Sequence, residues 1–395
     1  MLVTLIIGKC LGCGAEDAFG NVNISNDILL RGCCHCQYTE QIYLPPVEKE
    51  ILYLDQFFLS HAFRKELPEF VEAAKLIADL AHDQLLVCPF SKIHEAETLL
   101  WRHPQKQSLW EFIKQSSRGH KFEPDYKIKR TQILRGFERF LSANKKPFQV
   151  KIKDAILKNI NTWDNYFWID SIIPLKNIEL RRKLKDKSIE ELVNIFPHWR
   201  KANTTFKENW RLVFQGAARS YLQLYSEKVD RLYRGDFRAS IDSPIDAMVV
   251  ESLLEWDIET LESEKRLERI IAYFKSPYFE EVPYEWISSG LLALLREKVK
   301  KGHYQNIDRA KQKLRGIFYD FQFVSTYAPY CQAMFIDNIM FNLVNDKLLN
   351  VTNMFGTKFF ARRNWDAFLT FLNTLQSKKN QELEHALNLV YPSSK

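Results

Sequence analysis

Two short apolar runs that each stop at an aspartate, helical periodicity between and beyond them, and paired cysteines near the N-terminus predict an α/β fold. The expected sheet is parallel and flanked by helices, with a long all-helical stretch inside it and a small cysteine-stapled module ahead of it. The chain has 395 residues, 46% hydrophobic and 27% charged, which is enough for a large core and too apolar for disorder throughout. A net charge of +7 permits a nucleic-acid partner without demanding one.

The cysteine module comes first. Cys10-Leu-Gly-Cys13 and Cys33-Cys34-His35-Cys36 stand at the separation of a four-cysteine zinc site, each pair able to fold as a knuckle presenting two thiolates. Cys34 or His35 can substitute in the second knuckle, but equal spacing favours Cys33 with Cys36. Val22 to Leu30 reads as a hairpin strand joining the knuckles, so the expected object is a zinc ribbon over residues 1–48. So short a segment takes most of its folding free energy from the metal, and zinc removal should unfold it. Four thiolates leave no open position for catalysis, and neither pair opens a helix as a redox motif does. The ribbon is therefore structural, or a docking surface for nucleic acid or protein.

An odd cysteine total, with Cys88 and Cys331 in apolar segments, fits a reducing cytoplasm rather than a disulfide framework. The first residues lack a basic segment and a cleavage site, so no signal peptide is expected, and no apolar run is long enough to span a membrane.

After Leu44-Pro45-Pro46 the pattern alternates. Ile51–Leu54 reads as a strand, Glu66–Asp83 as a helix, Leu85–Pro89 as a strand, and Ser91 as the cap of a helix through Trp101. Residues 107–282 are helical in pattern, with stretches at Lys129–Leu141, Phe206–Lys228 and Asp246–Phe274, and a further helix at Tyr284–Lys300. Basic clusters at Lys127–Arg130 and Arg181–Lys183 are plausible phosphate contacts, although solvated charge explains each one alone. The α/β pattern then resumes: Asp320 opens a helix to Ala328, Ala333–Ile336 is a strand, Asn338–Leu348 is helical and Thr357–Ala361 is a strand. One α/β domain (49–106 and 283–395) interrupted by a helical insertion (107–282) is the economical reading.

In a parallel sheet the ligand site lies beyond the carboxyl ends of the strands, which is where Asp55 and Asp337 fall. Each can equally cap the helix that follows. On the helical wheel Glu97 and Asp320 share buried stripes while Glu95 points away, and no Lys or Arg stands at i±3 or i±4 from Glu97 or Asp320. Convergence of Asp55, Glu97, Asp320 and Asp337 would repel itself unless divalent cations neutralised it, and hard oxygen ligands suit Mg²⁺ or Mn²⁺.

These residues resemble the PIN-domain nucleases, in particular a bacterial PIN-like group. The resemblance rests on Tyr53-Leu-Asp55-Gln-Phe, Cys88-Pro-Phe-Ser-Lys-Ile-His-Glu-Ala-Glu97, Asp320 and Pro329-Tyr-Cys-Gln-Ala-Met-Phe-Ile-Asp337, and covers about 50–100 and 283–376. It implies a PIN-like sheet, an acidic cluster of Asp55, Glu97, Asp320 and Asp337, and metal-dependent phosphodiester hydrolysis. Members of the group often carry Asp where Gln332 stands, which puts activity in doubt only if that position ligates metal. His94 reads as a structural histidine or as a partner of Glu97 or substrate. The aromatic-rich insertion favours unpaired RNA bases over duplex DNA.

The expected function is therefore a metal-dependent endoribonuclease, with a protein regulator as a further partner. One rival is a catalytically inactive PIN-like binding or scaffold protein. Another makes the helical middle a sensor that restrains the nuclease in a bacterial toxin or phage-defence system.

Overall fold

In a computed structural model of the chain, which describes residues 1–64, 67–98, 105–165, 187–257 and 262–392, two four-stranded sheets form. The first is antiparallel: β1 (Leu5–Gly8), β2 (Phe19–Ser25), β3 (Ile28–Cys33) and β4 (Thr39–Tyr43), in that order. The segment read as one strand from Val22 to Leu30 is a β2–β3 hairpin turning at Asn26 and Asp27, with Asn26 at φ +53°, a conformation that asparagine tolerates. At Gly20 a Cβ would meet the Leu5 carbonyl at 1.9 Å, so glycine is what lets β1 lie against β2.

The second sheet is parallel. Its centre is β5 (Glu50–Leu54), with β6 (Leu86–Val87) on one side and β7 (Ala333–Phe335) then β8 (Lys358–Phe360) on the other. The helices are α1 (Gln56–Arg64) and α2 (Pro68–His82) before β6; then α3 (Lys92–Thr98), α4 (Gln105–Ser117), α5 (Asp125–Leu141), α6 (187–194) and α7 (Phe196–Lys201). There follow α8 (Phe206–Tyr233), α9 (Ala239–Asp242), α10 (Met248–Trp256), α11 (Ser263–Phe274), α12 (Pro277–Glu280), α13 (Pro283–Lys300), α14 (Ile307–Lys313) and α15 (Ile317–Tyr327). The chain continues with α16 (Asn338–Val344) and α17 (Val351–Phe355) around β7 and β8, then α18 (Trp365–Gln376) and α19 (Gln381–Val390). Among the described residues no helix is long and apolar enough to cross a membrane.

Strand alternation divides the core in two. Ile51, Tyr53, Met334 and Phe359 face α13 and α15 through Leu291, Val324 and Tyr327. Leu52, Leu54, Ala333, Phe335 and Phe360 face α1, α2, α18 and α19. A third core joins α5, α8, α10, α11 and α12. Part of 107–282 therefore packs on the sheet itself, since Phe122, Ile128 and Ala155 share a core with Tyr53.

Several sequence expectations are corrected. The helix read across Asp246–Phe274 is two helices, α10 ending at Trp256 and α11 beginning at Ser263. The helix that Asp320 was expected to open begins at Ile317, which leaves Asp320 in its first turn. α1 was not anticipated, because its apolar positions follow β5 without a break in composition.

The ribbon is docked on the body. Ile24 and Leu29 join the core of the α1 and α2 face, and the Asn21 amide donates to the Leu389 and Val390 carbonyls at 3.1 and 3.2 Å. Phe335 is wholly buried, with ring contacts to Phe58, Phe70, Trp365 and Phe368 between 4.8 and 5.9 Å. Phe335→Ala is expected to cost about 3–5 kcal/mol in urea unfolding, through lost burial and the cavity left behind. A cost below about 1 kcal/mol would mean that β7 is not central.

Candidate functional site

The four cysteines meet. Cys10 Sγ lies 3.6 Å from Cys36 Sγ and Cys13 Sγ 3.8 Å from Cys33 Sγ, with all four sulfurs within 4.8 Å of one another. Four sulfurs at about 2.3 Å from a central ion stand about 3.8 Å apart, so the donor set fits tetrahedral zinc. Backbone N–H groups of Gly12, His35 and Tyr38 donate to the sulfurs of Cys10, Cys33 and Cys36. A Cβ on Gly12 would meet Tyr38 Cβ at 2.7 Å, so the first knuckle closes only on glycine. Cys34 and His35 are exposed and outside the cluster, which leaves Cys33 with Cys36 as the second pair. Burial alone raises the Cys33 thiol, but N–H donors of His35 and Cys36 outweigh it and bring it to about 6.

The second centre is the carboxyl rim of the parallel sheet. Asp55 follows β5, its N–H donating to Phe335 O at 3.1 Å and its Oδ1 accepting from the Phe58 N–H at 3.1 Å, which caps α1. Asp337 follows β7 and its Oδ1 accepts from the Met340 N–H at 2.7 Å, capping α16. Both aspartates are thus helix caps, and both stand at the ends of adjacent strands.

Asp320 sits in the first turn of α15. The Thr357 hydroxyl, just before β8, donates to Ala328 O, which fixes the C-terminal end of α15 at the amino edge of the sheet. Glu97 lies on α3, whose start is tied to the rim by His94, but its side chain is outside the described residues.

The aspartates do not close into one tight ligand shell. Among the described residues, Cys10, Cys13, Cys33 and Cys36 form the one group of three or more candidate ligands with all donor atoms within 4.8 Å. Burial raises the Asp337 carboxyl above the ordinary value despite the Met340 and Ile339 N–H donors. Next to Asp55, both amide heteroatoms of Gln56 are covered and find no partner among the described residues.

His94 is structural. Its Nε2 donates to Leu54 O at 2.7 Å, its Nδ1 accepts from the Ser91 N–H at 3.2 Å, and its ring stacks on Tyr53 at 4.8 Å. Burial lowers its pKa to about 4, so it is a neutral strut between α3 and the end of β5. Gln332 lies at the opposite edge, where its Oε1 accepts from the Ile51 N–H at 2.7 Å. It completes the start of β5 and stands apart from the carboxyl rim. Glu95, read as pointing away, is buried and pairs with Lys121.

Lys129, in the basic cluster Lys127–Arg130, is buried against Asp246 at 2.6 Å, and Lys127 pairs with Glu123 at 2.9 Å. Arg181–Lys183 lies outside the described residues. Of the insertion aromatics, Phe214, Tyr273, Phe274 and Phe279 fill the third core, whereas Tyr233, Phe237 and Trp256 are exposed.

One buried polar network left no trace in the sequence pattern. Asp164, wholly buried, accepts from Lys49 Nζ at 2.7 Å and from His120 Nε2 at 2.9 Å, with Tyr391 donating to its backbone carbonyl. Burial pulls Lys49 down to about 8 despite Asp164, whereas Asp164 outweighs its own burial by gathering His120 as well as Lys49 and falls to about 2. The stabilisation held by ionised Asp164 is thus complete above the ordinary value of 3.8 and fades as pH falls towards about 2. Lys49→Met removes the shortest ion pair of a buried carboxylate, leaving His120 and the longer contacts to Arg118 and Lys158, and is expected to cost up to about 3–5 kcal/mol at neutral pH in urea unfolding. An unchanged midpoint would show that Asp164 does not depend on Lys49.

Compared with known proteins, the chain matches no family model, no curated protein and no solved structure.

Proposed function

We propose that this chain is a metal-dependent nuclease of the PIN-like kind, acting on RNA, with the zinc ribbon as a structural module. The observation that carries the reading is the pair Asp55 and Asp337 at the ends of adjacent parallel strands, with Asp337 desolvated. In this reading Asp55, Asp337 and Asp320, with Glu97, hold one or two divalent ions. Bound there, Mg²⁺ or Mn²⁺ supplies Lewis acidity at a phosphate and a lowered pKa for an attacking water.

The chain's own residues contribute placement. The helix caps fix one oxygen of Asp55 and one of Asp337, and His94 holds the strand end. A raised Asp337 carboxyl must lose its proton to take a cation, so Mn²⁺ affinity should fall as the pH drops through that titration.

Crystals soaked in Mn²⁺ test the proposal, which expects anomalous density against Asp55 and Asp337. Density confined to the cysteines, with no Mn²⁺-dependent cleavage of a pooled cellular RNA, would leave the rival reading of a binding or scaffold protein.

A further inference from the structure

We propose that the cavity between the α13–α14 loop and α16 binds the phosphodiester backbone of a single-stranded nucleic acid, beside the carboxyl rim. The cavity measures about 390 Å³ and is lined by His303, Tyr304, Asn306, Arg309, Lys313 and Ile339, among others. That volume lies within the roughly 300–1,000 Å³ of small-ligand sites. Its charged lining is entirely basic, and among the described residues no carboxylate pairs with His303, Arg309 or Lys313. The neighbouring acidic residue, Asp308, is not part of the lining.

The cavity is tied to the rim by Ile339, which lines it and sits in the first turn of α16, the helix that Asp337 caps.

The wall is also preorganised. Gly302 and Tyr304 both take left-handed backbone conformations, at φ +88° and +60°. The His303 N–H donates to Lys298 O at 3.0 Å, and Arg200 Nη2 donates to Tyr304 O at 2.8 Å. Arg200 Nε is buried and has no partner among the described residues, which adds positive charge behind the loop.

Arginine grips a phosphate through paired donors, lysine holds it as a point charge, and a tyrosine face suits an unpaired base. The choice of a polymer over a free anion rests on the nuclease reading, because only a strand carries one phosphate to the carboxylates and another to the cavity. Contacts of this kind do not read the sugar, so RNA and DNA single strands should both be held.

The test is fluorescence anisotropy of the full chain with a labelled 12-nucleotide single-stranded RNA, the DNA strand of the same sequence, and inorganic phosphate as competitor at matched ionic strength. Arg309→Gln with Lys313→Gln is expected to weaken both strands about tenfold or more. It should also make the slope of log affinity against log salt shallower by about 1.4, at about 0.7 for each lost phosphate contact. Arg309→Lys should keep most of the affinity, and Lys313→Gln alone should lose part of it. Unchanged affinity and slope in the double variant would overturn the proposal, as would full displacement of RNA by inorganic phosphate. Asp337→Asn separates this from the nuclease reading: it should remove cleavage and leave the salt slope intact. A wild-type chain that never cleaves, but whose binding falls in the double variant, would sink the nuclease and keep the cavity.

Discussion

Asp337→Asn is expected to remove Mn²⁺-dependent RNA cleavage while leaving the protein as stable as the parent at neutral pH, or slightly more so. Asparagine caps a helix as well as aspartate does, so the Met340 N–H keeps its acceptor and α16 keeps its start. What is lost is a negative charge. Because burial raises the Asp337 carboxyl, its ionisation opposes folding, and the parent loses stability as pH rises through that titration. The asparagine variant lacks this slope. Loss of an outer-shell partner of a metal costs roughly 10–100-fold in activity or affinity, and loss of a ligand should cost more. Asp55→Asn should behave alike, since its Oδ1 bond to the Phe58 N–H also survives the change. Single-turnover cleavage and urea unfolding across pH, run on the same preparations, check both halves. Cleavage at the parental rate in both variants excludes the proposed carboxylate roles.

The second large effect concerns the cysteines. Stripping the ion with a chelator, or Cys33→Ser, is expected to unfold the knuckles but not the whole ribbon. Structural zinc in small modules contributes on the order of 10 kcal/mol of apparent binding free energy, all of it coupled to local folding. The knuckle end has only a small core of Cys10, Ala18, Phe19 and Cys33, with Ala15, Cys36 and Tyr38 around it. The far end of the hairpin is held differently, with Ile24 and Leu29 inside the main core and Asn21 bonded to the end of α19. Amide exchange should therefore accelerate at Gly12, His35 and Tyr38 and remain slow at Leu29. Cys34→Ser should retain one ion per chain by native mass spectrometry, and loss of that ion would give Cys34 a place in the ligand set.

This outcome refines what the sequence made legible. The cysteine spacing picked out the four sulfurs that come together, but docking of the hairpin on α19 depends on residues more than 300 positions apart and leaves no local trace. The strands ending in Asp55 and Asp337 were readable because a buried parallel strand is a continuous apolar run that stops at its polar end. Their adjacency is a matter of pairing, in which Leu54 opposes Phe335, and periodicity cannot supply it. The same limit hid Asp164, whose partners Lys49 and His120 come from separate segments and look like ordinary surface residues in sequence. Lys127–Arg130 misled for the converse reason: four adjacent residues on one helix point in different directions, and Lys129 points inward.

The strand order carries a cost during synthesis. β5 leaves the ribosome early, yet β7, which must lie along one of its edges, follows only after α3 to α15 have been made. Until then Ile51–Leu54 presents open backbone donors and acceptors on a strand with almost no polar side chain, the kind of edge that nucleates aggregation. Fragments ending before residue 333 should therefore collect in inclusion bodies even when every helix they contain can form. Productive folding of the nascent chain calls for something, whether its own helices or a chaperone, to shield that edge until the last sixth of the polypeptide arrives.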